Sequence, residues 1–413
     1  NYTTAHRFLE MPINHLGYIA EYLDVGQALP PDILPDKYAG IVFWLTGAAP
    51  RAKAVNEWIV RQAATGVPIA FFDRLPFDSD AATLKALGLA RQTGTGLPRI
   101  TQADPMFRGE APLRPTRNDG LPLRLSGAGT PLLALAGEGG QTHVAAALMP
   151  WGGFALSPFV VSDIPGTEQS RWHLDRFAFL TAALRLPAIP VPDITTETGR
   201  RLLTAHIDGD GFPTRAELPG SPLASRVLLE DILQRYRIPH AMSVIEAEVA
   251  PHGLYPELSA EMENIARRMF ALPHVEIASH TFSHPFRWDN TVKHGIFKDA
   301  DADESYHLAV PGYHLDLTRE IVGSKTASLL LWSGDTAPGA EALGVAAAAG
   351  FLNMNGGDTQ ITRSNPSLTA VAPVGIRKGP YQQIYAPMTN ENIYTNLWRG
   401  PFYGFRRVIE TFE

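Results

Sequence analysis

The sequence contains no cysteine. That absence excludes disulfides, thiolate zinc sites and cysteine nucleophiles together, and leaves only nitrogen and oxygen ligands for any zinc ion. Cytosol and bacterial periplasm both tolerate such a chain. Charge of one sign is also scarce. With 35 basic against 42 acidic residues the net charge is −7, and no Lys/Arg run approaches a nucleic-acid footprint, so no nucleic-acid partner is expected. No apolar stretch reaches the roughly 18 residues of a membrane span, and no signal-peptide pattern opens the sequence. Internal repeats and low-complexity segments are missing too. The chain starts at Asn1 without Met and stops at Glu413 straight after RRVIETFE, which reads as a strand entering a core. Both ends are expected to be cuts in a longer protein.

What is present suffices for two globular domains: 413 residues, 45% of them hydrophobic and 19% charged. The stretch Pro187 to Thr198 (PAIPVPDITTET) has three prolines, small polar residues and no periodicity, a linker composition. Domains at 1–190 and 196–413 are therefore expected. In the first, IVFWLTG (Ile41 to Gly47) is a continuous apolar run like a buried parallel strand. A helical pattern follows over Arg51 to Ala64, then a second buried strand, VPIAFFD, as in a right-handed crossover. PLLALAG, THVAAALMP and GFALSPFVVS form a β-rich run, and Arg171 to Leu184 closes the domain as an amphipathic helix. The reading is an open α/β sheet with a β-rich extension. This part vaguely resembles class I glutamine amidotransferase-like folds, whose enzymes need the cysteine that is absent here. A non-catalytic scaffold is expected.

The second domain alternates strand and helix more regularly. LLTAHID, AMSVIEAEV, VEIASH, SLLLWSG and FLNMNGG read as strands. Helices are expected over Ser225 to Arg237, Leu258 to Met269, Leu317 to Ser324 and Ala340 to Ala349. That alternation predicts a parallel (β/α) barrel, complete or distorted, whose chemistry collects at the carboxyl ends of the strands.

Polar residues stand at those ends. HIDGDGF places Asp208 and Asp210 after the first strand, where two carboxylates are costly to bury unless a cation neutralises them. SHTFSH places His280 and His284 four residues apart after the third. Either element alone has a bland reading, an Asp-Gly turn or a structural histidine pair. Together, two histidines and a carboxylate make a three-ligand site with positions open for water and substrate, and leave the second carboxylate as a base.

The order Asp-x-Asp after the first strand and S-H-T-x-x-H after the third resembles the NodB-type polysaccharide deacetylases. HIDGDGF, SHTFSHPF, LWSGDTAP and GPFYGFRRVIETFE are most similar to the periplasmic deacetylases of Pel-type exopolysaccharide synthesis. The resemblance implies a distorted (β/α) barrel and metal-dependent hydrolysis of N-acetyl groups from an amino-sugar polysaccharide during biofilm polymer maturation. It implies a periplasmic location, a divalent cofactor (Zn2+ foremost) and other exopolysaccharide export proteins as partners. Asp208 becomes the general base, and Asp210, His280 and His284 the metal ligands. Trp288, Trp332, Asp335, Trp398 and Tyr403, with Phe402, are expected along the substrate groove, since sugar faces stack on aromatic rings. Two departures stand out. Gly209 separates aspartates that are adjacent in the family, and Asp335 stands where the family has an arginine orienting the base; an Asx turn is its bland reading. The family's general-acid histidine comes near the domain's C-terminus, yet none follows His314, so that acid is expected beyond Glu413. The alternative is a degenerate deacetylase that binds or assembles polysaccharide without hydrolysing it.

Overall fold

The computed structural model describes residues 3–45, 47, 49–93, 97–115, 123–137, 139–167, 169–191, 205–216, 218–288, 307–323, 327–357, 359, 361 and 365–386. Most of the expected linker, and the strand-like RRVIETFE, lie outside these residues. The chain forms two compact units. One is Tyr2–Pro192 with Asn365–Val371, the other Asp193–Ser364 with Ala372–Glu413.

The first unit opens with α1 (Thr4–His15), β1 (Ile41–Trp44), α2 (Ala52–Ala64), β2 (Ile69–Asp73) and α3 (Ala81–Ala86). Strands β3 (Leu89–Arg91), β4 (Arg99–Ala103), β5 (Leu123–Leu125), β6 (Thr130–Ala136), β7 (Thr142–Met149) and β8 (Gly152–Leu156) follow, then β9 (Val161–Asp163), β10 (Ser170–Trp172) and α4 (Arg176–Ala183). Its main sheet is mixed, in the order β1-β2-β8-β7-β6-β4. β1, β2 and β8 run parallel, and β8 through β4 pair antiparallel, the open sheet with a β-rich extension that the apolar runs predict. Along β2, Ile69 and Phe71 enter one core cluster while Ala70 and Phe72 enter another. The strand period of two thus gives this sheet a core on each face. Helix α2 covers one face with Val55, Trp58, Ile59 and Gln62, spaced for a single helical stripe. Asn365–Val371 belongs to this unit through side-chain bonds: Ser367 Oγ and Leu368 N donate to Glu110, and Thr369 Oγ1 donates to the Ser170 carbonyl at 2.7 Å.

The second unit contains β11 (His206–Ile207), α5 (Ala224–Val227) running on into a π-helical turn over Leu228–Leu233, β12 (His240–Val244), α6 (Glu246–Val249), α7 (Pro256–Phe270) and β13 (Val275–Ser279). After these come α8 (Leu317–Val322), β14 (Leu329–Leu331), α9 (Ala340–Ala348), β15 (Leu352–Met354), β16 (Gly375–Lys378) and β17 (Tyr381–Ile384). Its sheet has seven strands in the order β11-β12-β13-β14-β15-β17-β16, parallel except for the terminal hairpin. From β11 to β15 the strands follow one another in chain order, as around a barrel, and β17 then lies between β15 and β16. Among the described residues, however, the sheet does not close: β11 and β16 are its two edges.

One predicted element divides. AMSVIEAEV is strand only to Val244, and Glu246–Val249 turns into α6. The cause is a change of hydrogen-bond partner. Glu246 N and Ala247 N donate to the carbonyls of Thr281 and Phe282 in the loop after β13, which pulls the chain out of strand register.

Two apolar clusters hold this unit. Phe212, Leu229, Leu233, Met242, Met262, Ile265 and Met269 form one, fed by the buried stripe of α7. Trp288, Ile321, Leu330, Trp332, Leu343 and Ala346 form the other. Trp288 and Trp332 meet edge to face at 4.8 Å between ring centroids, and both rings are fully buried. Each indole N–H is satisfied, Trp288 by the Ser333 carbonyl at 2.9 Å and Trp332 by Asn353 Oδ1 at 3.0 Å. Trp332→Ala is therefore expected to cost about 3–5 kcal/mol of stability, as removal of a large buried ring does. Urea unfolding followed by circular dichroism checks this; a change under about 1 kcal/mol would contradict the core assignment.

Candidate metal centre

The registers of β12 to β14 bring three strand ends level to within a residue, and β11 ends two residues short of them. Met242 pairs with Ile207 and Ile277, Val244 with Ser279, and Ser279 with Leu330. Past these positions come Asp208 after β11, Ile245 and His280 after β12 and β13, and Leu331, the last residue of β14. Close approach of the first two ends explains the glycine between the aspartates. A Cβ on Gly209 would lie 2.6 Å from Ile245 N and 2.8 Å from Val244 C, both backbone atoms that cannot yield. Only glycine lets Asp208 and Asp210 flank this contact.

Asp210, His280 and His284 come together, with ligand atoms all within 4.8 Å of one another. His284 Nε2 lies 3.0 Å from Asp210 Oδ1, and His280 Nε2 lies 3.9 Å from Asp210 Oδ2. The two imidazoles are 5.1 Å apart between centroids and both are buried, whereas the Asp210 side chain is half exposed. His280 Nδ1 is 2.9 Å from the Leu331 carbonyl. A carbonyl only accepts, so Nδ1 carries the proton and Nε2 of the neutral ring presents its lone pair to Asp210 and His284. Burial lowers the His280 pKa and keeps the ring in this neutral form.

The donors fit a divalent cation. His280 Nε2 is buried and has no hydrogen-bond partner, and neither nitrogen of His284 has an aligned one despite the short distance to Asp210. Buried lone pairs without donors are costly, and a shared cation satisfies several at once. The electrostatics agree. Burial works against ionised Asp210, but the close approach and charge of His284, with the charge of His280, bring its pKa below the usual carboxylate range. For His284 burial lowers the pKa, and the carboxylates of Asp210, Asp208 and Glu248 outweigh it, so the net shift is upward. Asp208 is half buried at the end of β11, close enough for its charge to act on both histidines.

The other expected site residues are placed differently. Trp288 and Trp332 offer no stacking face, because both rings are core; this corrects their expected place along the groove. Asp335 makes an Asx turn to Ala337 N (3.1 Å) and accepts from Trp288 N (3.2 Å), the bland reading of this residue. Trp398, Phe402 and Tyr403 lie outside the described residues. Among the described residues Phe286 borders the centre, partly exposed and edge-on to His284 at 4.9 Å.

Sequence reasoning missed Glu248. It sits on α6, buried, with Oε2 lacking a hydrogen-bond partner, and its carboxyl interacts with Asp210 and His284. Burial, reinforced by the negative charge of Asp210 and opposed by His284, pushes its pKa up to about 8. A carboxyl held protonated near neutrality beside ligand-type side chains is suited to acid–base work. The available signal was a glutamate inside the apolar run VIEAEV at a strand's carboxyl end.

The raised Glu248 pKa has a defined consequence for metal-free protein. From pH about 4.5 to about 8 the unfolded chain loses this proton while the folded chain keeps it, so stability falls as pH rises through that window. Glu248→Gln cannot titrate and should flatten that slope. Urea midpoints of chelator-treated protein at the two ends of the window test this; equal slopes in variant and parent would contradict it.

Comparison of the chain with family models, with curated proteins and with solved structures finds no match.

Proposed function

We propose that the second unit is a metal-dependent hydrolase removing N-acetyl groups from an amino-sugar polysaccharide, as the resemblance of HIDGDGF and SHTFSH to NodB-type deacetylases implies. One observation carries this reading. Two buried imidazoles, with His280 Nε2 and both nitrogens of His284 lacking aligned hydrogen-bond partners, converge with a carboxylate at the carboxyl ends of the strands, beside the second carboxylate of Asp208. Asp210, His280 and His284 would hold the ion, for which an N/O donor set in a cysteine-free chain suits Zn2+. Such an ion supplies Lewis acidity toward an amide carbonyl and toward water. The chain's own residues do the rest. Asp208 accepts the proton of the attacking water, and the Leu331 carbonyl keeps His280 in its ligating tautomer. Phe286, beside His284, is an exposed aromatic surface on which a sugar face can rest.

The finer architecture belongs to the same proposal. Strands β11 to β15 following in chain order and parallel, with the site at their carboxyl ends, suit a distorted barrel. A periplasmic location and export-protein partners rest on the family resemblance. The described residues add that no helix is long and apolar enough to cross a membrane.

Exhaustive chelation is expected to abolish acetate release from N-acetylated polymers, and added Zn2+ to restore it. His280→Ala should lose most bound metal. Asp208→Asn should keep the metal and lose turnover by about 10²-fold or more, the usual contribution of a general base. Metal quantification with acetate-release assays checks all three. Equal metal content in His280→Ala and the parent would remove the ligand assignment, and full activity after chelation would remove the metal mechanism.

A further inference from the structure

The segment carrying both histidines is not relaxed. Thr281 has φ 70° and His284 φ 56°, left-handed conformations that a β-branched residue such as Thr281 rarely adopts. Such residues cost on the order of 1–3 kcal/mol each and persist only where surrounding contacts over-determine them. Between them stand Phe282 and Ser283, and the contacts that fix these two converge on a single side chain. Glu320, on α8, is 1% exposed. Its Oε2 accepts from Phe282 N at 3.0 Å and Ser283 N at 2.8 Å. Its Oε1 accepts from Ser283 Oγ at 2.5 Å and from the Tyr313 hydroxyl at 2.8 Å.

We infer that Glu320 is a positioning residue for the metal centre: its carboxylate clamps the backbone between Thr281 and His284 and so sets the direction of the His284 imidazole toward His280 and Asp210. The inference rests on the metal-centre part of the function proposed above.

The surroundings favour a clamp over an incidental buried acid. Glu320 accepts four hydrogen bonds from the donors Phe282, Ser283 and Tyr313 and touches none of the three ligand residues in those bonds. Its neighbour Arg319 anchors the same helix to α6, pairing with both oxygens of Glu246 at 2.6 and 3.0 Å and lying 4.0 Å over the Phe282 ring. The carbonyls of Thr281 and Phe282 are taken by Glu246 N and Ala247 N. Thr281 Oγ1 accepts from His284 N at 3.0 Å, so the hydrogen-bonded frame reaches His284 itself. Removing the carboxylate would leave two backbone N–H groups without acceptors between two left-handed residues. The segment could then relax and turn His284 away.

The test is metal binding by the whole 413-residue chain, read by Zn2+ competition titration and by the visible spectrum of the Co2+-loaded protein. Glu320→Ala should weaken affinity by about 10- to 100-fold and change the Co2+ bands, the size seen when groups orienting metal ligands are removed. Glu320→Gln should lie within a few-fold of the parent. Its carbonyl can accept the two backbone N–H groups while its amide faces Ser283 and Tyr313 oxygens, which can accept. Unchanged affinity and spectrum in Glu320→Ala would overturn the inference. If that variant does not fold, Ser283→Ala combined with Tyr313→Phe keeps the carboxylate and removes its side-chain donors. About two- to tenfold weaker binding is then expected, and parental binding would overturn the clamp. A parent that binds no metal would overturn the metal centre and this inference together. Normal binding by the parent, lost in His280→Ala but unaffected in Glu320→Ala, would overturn the clamp alone.

Discussion

The bond from His280 Nδ1 to the Leu331 carbonyl joins two neighbouring parallel strands at the level where both have just ended. It needs the registers of β12, β13 and β14 to be in step, since one residue of slip would turn His280 to the other face of the sheet. With the registers fixed, the proton is on Nδ1, the lone pair is on Nε2, and Nε2 faces Asp210 from the end of β11. The same level ends allow Glu246 and Ala247 to take the carbonyls of Thr281 and Phe282, which ends β12 and creates α6. Glu248 becomes buried beside the ligands as a consequence. The centre is thus the product of sheet register before it is the product of any single side chain.

Local structure around the centre runs against ordinary preference at several points. Thr281 and His284 are left-handed, a glycine is required at 209 by backbone approach, and Gly334 is required where φ is +59° and a Cβ would meet Phe286 Cα at 2.4 Å. Polar atoms on His280, His284 and Glu248 are buried without hydrogen-bond partners. The neighbouring apolar cluster of the second unit has satisfied indoles on Trp288 and Trp332. Left-handed backbone and unpartnered buried polar atoms coincide on the ligand-bearing residues here, and such local departures are a physical mark of functional sites.

The first unit is organised around its sheet. Its mixed sheet has an apolar cluster on each face and stacked aromatic pairs such as Trp44 on Phe72 and Phe43 on Phe71. Its most distant connection is Asn365–Val371, which Glu110 and the Ser170 carbonyl hold through a backbone N–H and short hydroxyl side chains. Composition could not foretell this, because Ser367 and Thr369 read as loop residues and their partners lie far back in the chain.

Residue order alone determined the alternation of strands and helices, the candidate ligands and their level. Apolar runs such as VEIAS and SLLL end in polar residues, and spacing puts His280 and His284 on one short segment after β13. Those features are local, and local spacing is what a sequence displays. Tertiary structure decided the rest. Trp288 and Trp332 look like sugar platforms until their rings are seen packed on each other, since an aromatic residue has the same letter in a core and in a groove. Asp335 likewise resolves into a turn. Glu248 and Glu320 look like solvated acids until sheet register and the placement of α8 bury them, one beside the ligands and one beneath the loop that carries them. Burial and hydrogen-bond partners come from segments far apart in the chain, so they exist only once the strands have chosen their neighbours.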